Sequence, residues 1–275
     1  MFNLDFAKLD DLAIAVQRRG VNPIAHLANL QPDKIGPLLE LLLLSRSPEL
    51  ASLSPYNVPR NKRIVALSKA LETVNLGNGI YVSSEGRSVG FIATSRNSQE
   101  PDTYEWTQFC RRAQAGAESA GLVGVEAKGL IGAMREMEEN IHLHSNRTLD
   151  GIVAFSSNPK EFEFVVADSG NGVLASLKRN PNYTYLSDAG TALRYALTDG
   201  HSRFGSESGH GFGFHGLFVG LANLNGSLRF RTEDHALLID GTGPNLITSR
   251  IAQKSRMQGF LISVLCSPLT PTTLH

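Results

Sequence analysis

The sequence predicts an α+β fold built on a mixed, mostly antiparallel sheet. From Thr103 onward the apolar residues recur at the spacing of two successive amphipathic helices. These are followed by "GIVAFSSNPKEFEFVVAD", whose apolar halves alternate about the turn signal "SNPKE" and read as a hairpin. The chain then closes with "SLRFRT", "HALLID", "NLITSRI" and "GFLISVL", four short runs suited to antiparallel strands.

Taken in order, the first hundred residues have a texture of their own. "PDKIGPLLELLLLSRS" carries a helical apolar stripe, and "YNVPRN" punctuates the chain after it. "KRIVALSKALETV" satisfies either a helix or a strand. "NLGNGIYVSS" and "RSVGFIATS" pair as hairpin strands around "EGR". The polar, proline-containing stretch from Ser95 to Asp102 marks a boundary, giving an N-terminal α/β region over 1–102 and a second domain over 103–275. In that domain one helix covers "TYEWTQFCRRAQAGAESAG" and a second runs from about Val125 to Ser145. The hairpin ends at Asp168, a long polar segment follows from Leu174 to Ser208, and a glycine cluster opens into the apolar helix "HGLFVGLANL". No repeat of solenoid or propeller length is visible.

Composition narrows the partners. With 26 basic and 26 acidic residues among 275, no whole-protein field draws the chain to nucleic acid or to an anionic membrane. "MFNLDFAKLDDLAIAV" lacks the basic flank and long apolar stretch of a secretory signal. The richest apolar run, "IGPLLELLLL", is interrupted by Glu40 and is far short of a membrane span. Cys110 and Cys266 show no metal-ligand spacing and suit a reducing cytosol, so the expected location is cytoplasmic.

Three short motifs carry chemistry. In "MREMEENIHLHS", Glu136 and Asn140 stand four apart and share one helical face. A carboxamide oxygen beside a carboxylate suits a hydrated magnesium ion next to a general base, although such pairs also simply face water. In "ADSGNGV", Asp168 at a strand end offers an acceptor to an exocyclic amine, and Gly170 and Gly172 permit close backbone approach; an ordinary turn reads the same way. In "SGHGFGFHGLFVGLANL", Gly209, Gly211 and Gly213 alternate before a helix, a place where backbone amides favour phosphate. That loop lacks the lysine of a P-loop.

In this order the three motifs resemble those of the GHKL ATPase superfamily, the Bergerat fold, over about Thr103 to Pro268. The superfamily unites type II topoisomerases, a heat-shock ATPase chaperone, mismatch-repair ATPases, histidine kinases and anti-sigma serine kinases. The resemblance implies a two-layer α/β sandwich with the N-terminal region as an extension, ATP and Mg²⁺ as cofactors, and a lid over 174–208. It makes Glu136 the general base, Asn140 the magnesium ligand, and His144 a neighbour of the phosphates or a packing residue. It makes Asp168 the adenine-reading acid with Gly170 and Gly172 beside it, and Gly209, Gly211 and Gly213 the phosphate loop and lid hinge. Arg203, just before those glycines, is a further phosphate candidate, with Lys178 and Arg179 behind it. The family's late "GT" pair is absent: "QGFLISVL" has Gly259 followed by Phe260, and Thr248 is a possible substitute.

The resemblance implies slow ATP hydrolysis or γ-phosphate transfer of the anti-sigma-kinase kind, as an ATPase or a serine/threonine-type protein kinase. The histidine-kinase branch fits less well, because its members usually carry asparagine where Glu136 stands. The alternative is an ATP-gated switch read by a regulatory partner protein through the N-terminal region. A homodimer is compatible with either. The DNA-acting branches usually follow this module with a further lysine-bearing domain, and only about sixty residues follow Gly213, so a nucleic acid partner is not expected.

Overall fold

The computed structural model describes residues 2–75, 80–82, 88–94, 103–144, 151–196, 226–239 and 250–268. It is an α+β structure organised on one eight-stranded sheet in which every neighbouring pair is antiparallel. The sequence suggests a mixed sheet, but the parallel pairing described lies apart from this sheet, between the two-residue strands β1 (Phe2–Asn3) and β2 (Leu30–Gln31).

The N-terminal region supplies helices α1 (Phe6–Arg19), the short α2 (Ile24–Leu27), α3 (Ile35–Leu44) and α4 (Lys62–Asn75). Asp5 caps α1 by accepting the Lys8 amide at 2.8 Å, and Gly20 ends it in the left-handed conformation. Every residue of α3 is buried, Glu40 included. Pro37 is tolerated there because first-turn amides have no partner inside the helix. The amides of Ile35 and Gly36 instead donate to the Glu163 carboxylate, at 2.8 and 2.7 Å, so a strand residue caps this helix. The ambiguous "KRIVALSKALETV" resolves as α4.

Strands β3 (Ile80–Val82) and β4 (Val89–Thr94) precede helices α5 (Tyr104–Ser119) and α6 (Gly124–His144). The expected hairpin is β5 (Gly151–Asn158) and β6 (Glu161–Asp168). Helices α7 (Gly172–Leu177) and α8 (Ala189–Ala196) follow, then β7 (Ser227–Thr232), β8 (His235–Ile239), β9 (Arg250–Gln253) and β10 (Phe260–Cys266). Strand order is β3-β4-β5-β6-β10-β7-β8-β9, so the last strand inserts between β6 and β7.

Both faces of this sheet are covered. Val153, Phe155, Phe164, Val166 and Ile262 enter a core with Phe109, Met134 and Met137 of α5 and α6. The alternate residues Ile152, Ala154, Val165 and Leu261 enter a second core with the leucines of α1 and α3. Successive strand residues point to opposite faces, so apolar runs such as "IVAF" need a cover on each side. The outcome is an α+β sandwich on α5 and α6, with the N-terminal helices packed as a third layer on the sheet's other face. Strand β4 pairs with β5, and α3 packs on β6 and β10, so described elements from before and after 95–102 share one sheet.

The segment expected to form a lid is folded over its described part, 174–196. After α7 comes a 3₁₀ turn at Pro181–Tyr183, then α8, with Leu177, Leu186 and Ala192 as a small core of their own. Asp188 caps α8, accepting the Thr191 amide at 2.8 Å and its hydroxyl at 2.7 Å. This helix packs on β8 and β9, with Gly190 against the ring of His235.

Candidate functional site

Strand β6 ends on Asp168, whose side chain is fully buried and whose Oδ1 accepts the Gly170 amide at 2.7 Å. Its neighbour across the ladder is Phe260, and Phe260 faces Thr232 of β7 on its other side. Residues directly opposite one another share a face of the sheet, so Asp168 and Thr232 leave it on the α5–α6 side, as Phe260 does. The Thr232 hydroxyl accepts the Val173 amide at 3.1 Å and donates to the Gly259 carbonyl at 3.2 Å.

Two glycines make this convergence possible. Gly259 has φ +81°, and a β-carbon there would lie 2.0 Å from the Asp168 carbonyl oxygen. Gly172 has φ +77°, and a β-carbon there would lie 2.9 Å from Glu233 and 3.1 Å from the Thr232 hydroxyl. Both conformations suit a residue without a side chain. Gly259 thus has a structural reason independent of any threonine after it, and the threonine that the ladder places in register with Asp168, across Phe260, is Thr232, which sequence reasoning missed. Its signal was faint: a threonine ending "SLRFRT" gains meaning only from the register across β10. Thr248 lies outside the described residues.

Helix α6 packs on β6 and on α7, the helix that Gly172 opens. It buries Met134, Met137 and Ile141 and leaves Glu136 exposed and Asn140 half-buried. Partial desolvation, then the charge of Glu139, lifts the Glu136 carboxyl above its ordinary value. The helix carrying the acid–amide pair therefore adjoins the loop carrying Asp168, Gly170 and Gly172. His144 ends α6, with its side chain outside the described residues, as are Arg203, Gly209, Gly211 and Gly213 entirely. Lys178 and Arg179 close α7 at exposed positions. Within α6 a further pair is present: buried Glu138 lies 2.9 Å from Nε2 of His142, one turn on.

Among the described residues no group of three or more His, Cys, Asp or Glu can hold a metal ion. Magnesium held across phosphates keeps several waters and needs only one or two protein oxygens, which one carboxamide can begin to supply. Both cysteines are buried, and burial, then Glu126, pushes the Cys266 thiol up to about 12, so it is no nucleophile at neutral pH. Among the described residues no helix is long and apolar enough to cross a membrane.

Behind the D-x-G-x-G loop, on the side of the N-terminal layer, lies a cleft of about 610 Å³ lined by Arg46, Glu49, Asn171, Glu233, Arg256 and Gly259 among others. Arg46, just past α3, donates from Nη1 to the buried hydroxyl of Ser169 inside the motif. Compared with known proteins, the chain matches no family model, no curated protein and no solved structure.

Proposed function

We propose that the chain is a Mg-ATP-binding protein of the GHKL class that hydrolyses ATP or transfers its γ-phosphate slowly. The observation that carries this reading is the convergence of Asp168, Gly172, Thr232 and Gly259 at one end of the sheet, on the face covered by the helix bearing Glu136 and Asn140. A buried carboxylate at that point is an acceptor for the exocyclic amine of adenine. The Thr232 hydroxyl braces the same wall. Asn140 presents an amide oxygen to the cation. Glu136, exposed and with a raised pKa, takes the proton of an attacking water or hydroxyl. Bound Mg-ATP supplies the phosphoryl group and the positive charge that offsets its oxygens. Titration of the purified chain with ATP and Mg²⁺, with product analysis for ADP and for labelled protein, separates hydrolase, kinase and passive binder. The absence of any ATP binding overturns the reading. Glu136→Ala is expected to keep Mg-ATP affinity and to lower turnover by about 10²–10⁴-fold. Unchanged turnover removes Glu136 from the base role.

One contact favours a second reading, a nucleotide-gated switch read by a partner protein. Arg46 ties the N-terminal layer to Ser169 of the nucleotide loop, so a ligand that favours one arrangement of that loop also biases the layer behind it. Limited proteolysis of residues 174–208 with and without Mg-ATP tests this. Identical digestion patterns count against it.

A further inference from the structure

The two-residue turn between β7 and β8 contains Glu233, the one residue other than glycine with a positive φ among the described residues, at +46°. Tight hairpin turns that need positive φ usually place glycine, asparagine or aspartate there. A longer side chain in this conformation persists where its surroundings over-determine it, and such residues gather at functional sites. Here the surroundings do so. The Glu233 carbonyl accepts the Arg231 guanidinium at 2.7 Å and the Met257 amide at 2.9 Å. Arg231 also donates to the His235 carbonyl at 3.0 Å and to the Ser255 carbonyl. The turn is thereby pinned on three sides by one buried arginine.

The side chain reaches forward from this pinned backbone. Its carboxylate lies against the start of α7, on the side of the Ala175 amide, and its Cγ and Oε1 lie 2.9 Å from where a β-carbon on Gly172 would fall. Thr232, the residue before it, takes the Val173 amide. The turn therefore holds the first residues of α7 through two successive side chains, directly after the D-x-G-x-G loop.

We propose that Glu233 is a positioning residue for the nucleotide loop: its strained turn aims a carboxylate at α7 and clamps Gly172, fixing the loop that carries Asp168. This rests on the ATP-binding reading for its consequence, though the clamp itself is testable without nucleotide. The informative variant is Glu233→Gly, since glycine adopts the observed φ freely and leaves the turn able to form, with Glu233→Gln retaining an acceptor oxygen as the rescue. In the absence of ATP, amide exchange at Val173 and Ala175 is expected to quicken about tenfold or more in Glu233→Gly and little in Glu233→Gln, with the global unfolding midpoint little changed. Mg-ATP affinity is expected to fall about tenfold or more in the glycine variant and to return in the glutamine variant. Unchanged exchange at both amides overturns the clamp whether or not ATP binds. Quickened exchange with unaltered Mg-ATP affinity overturns the role in positioning. A parent chain that binds no ATP, with exchange responding as expected, overturns the function proposed above and leaves the clamp standing.

Discussion

Glu40→Ala is expected to destabilise the chain by about 3–5 kcal/mol, the usual cost of removing one partner from a buried ion cluster. Glu40 sits in the middle of α3 with no exposure, and accepts Nε and Nη2 of Arg229, each at 2.7 Å, and Nε of Arg231 at 3.3 Å. Asp10 of α1 takes the other side of Arg229 at 2.7 Å and also meets Lys254 at 2.8 Å. Both arginine side chains are almost wholly buried, with Arg229 stacked over the ring of Phe6. Burial pulls the Arg231 guanidinium below its ordinary range. In Arg229 burial acts in the same sense but is outweighed by Glu40 and Asp10, which hold it above that range. Alanine at 40 leaves two cations in the layer between α3 and the sheet, with Asp10 alone to answer them. Denaturant unfolding at neutral pH measures the loss. A change below about 1 kcal/mol, the value of an exposed pair, would mean that water reaches the cluster.

This cluster also shows where the sequence stopped being legible. In "IGPLLELLLL", Glu40 reads as an interruption of an apolar stripe, a correct argument against a membrane span. Its purpose depends on arginines 189 and 191 residues further along. The helices α5 and α6 and the β5–β6 hairpin were legible because their periodicity is local. The third layer was signalled more quietly, by apolar residues at consecutive positions in "GIVAF" and "FEFVVA", which a strand with one wet face does not need. At the candidate site, Glu136, Asn140 and Asp168 were singled out by short motifs and by the resemblance those motifs carry in their order along the chain. Thr232 and Glu233 were missed because their roles arise from cross-strand register and from one backbone angle, neither of which leaves a motif.

Gly259→Ala is expected to damage stability and, on the ATP-binding reading proposed above, nucleotide affinity as well, by two mechanisms that can be separated. The first is conformational: a side chain at φ +81° in the left-handed region costs about 1–2 kcal/mol. The second is steric. An alanine β-carbon would lie 2.0 Å from the Asp168 carbonyl oxygen, 2.7 Å from its carbon and 2.7 Å from Oδ1. Two of these three atoms are backbone, so relief requires β6 and β10 to part where they pair Asp168 with Phe260. Overpacking of that kind adds about 1–3 kcal/mol, for a total of about 2–5 kcal/mol. Gly20→Ala is the control. It has φ +63° at the end of α1 and no atom within 4 Å of the added carbon, so it bears the conformational cost alone. Thermal or denaturant unfolding of both variants, with Mg-ATP titration of each, gives the comparison. The steric account expects Gly259→Ala to lose distinctly more stability than Gly20→Ala, and to lose affinity as well, because Asp168 moves. Equal losses in the two variants, with affinity intact in both, would show that Gly259 serves only its own turn and does not hold Asp168 at the strand end.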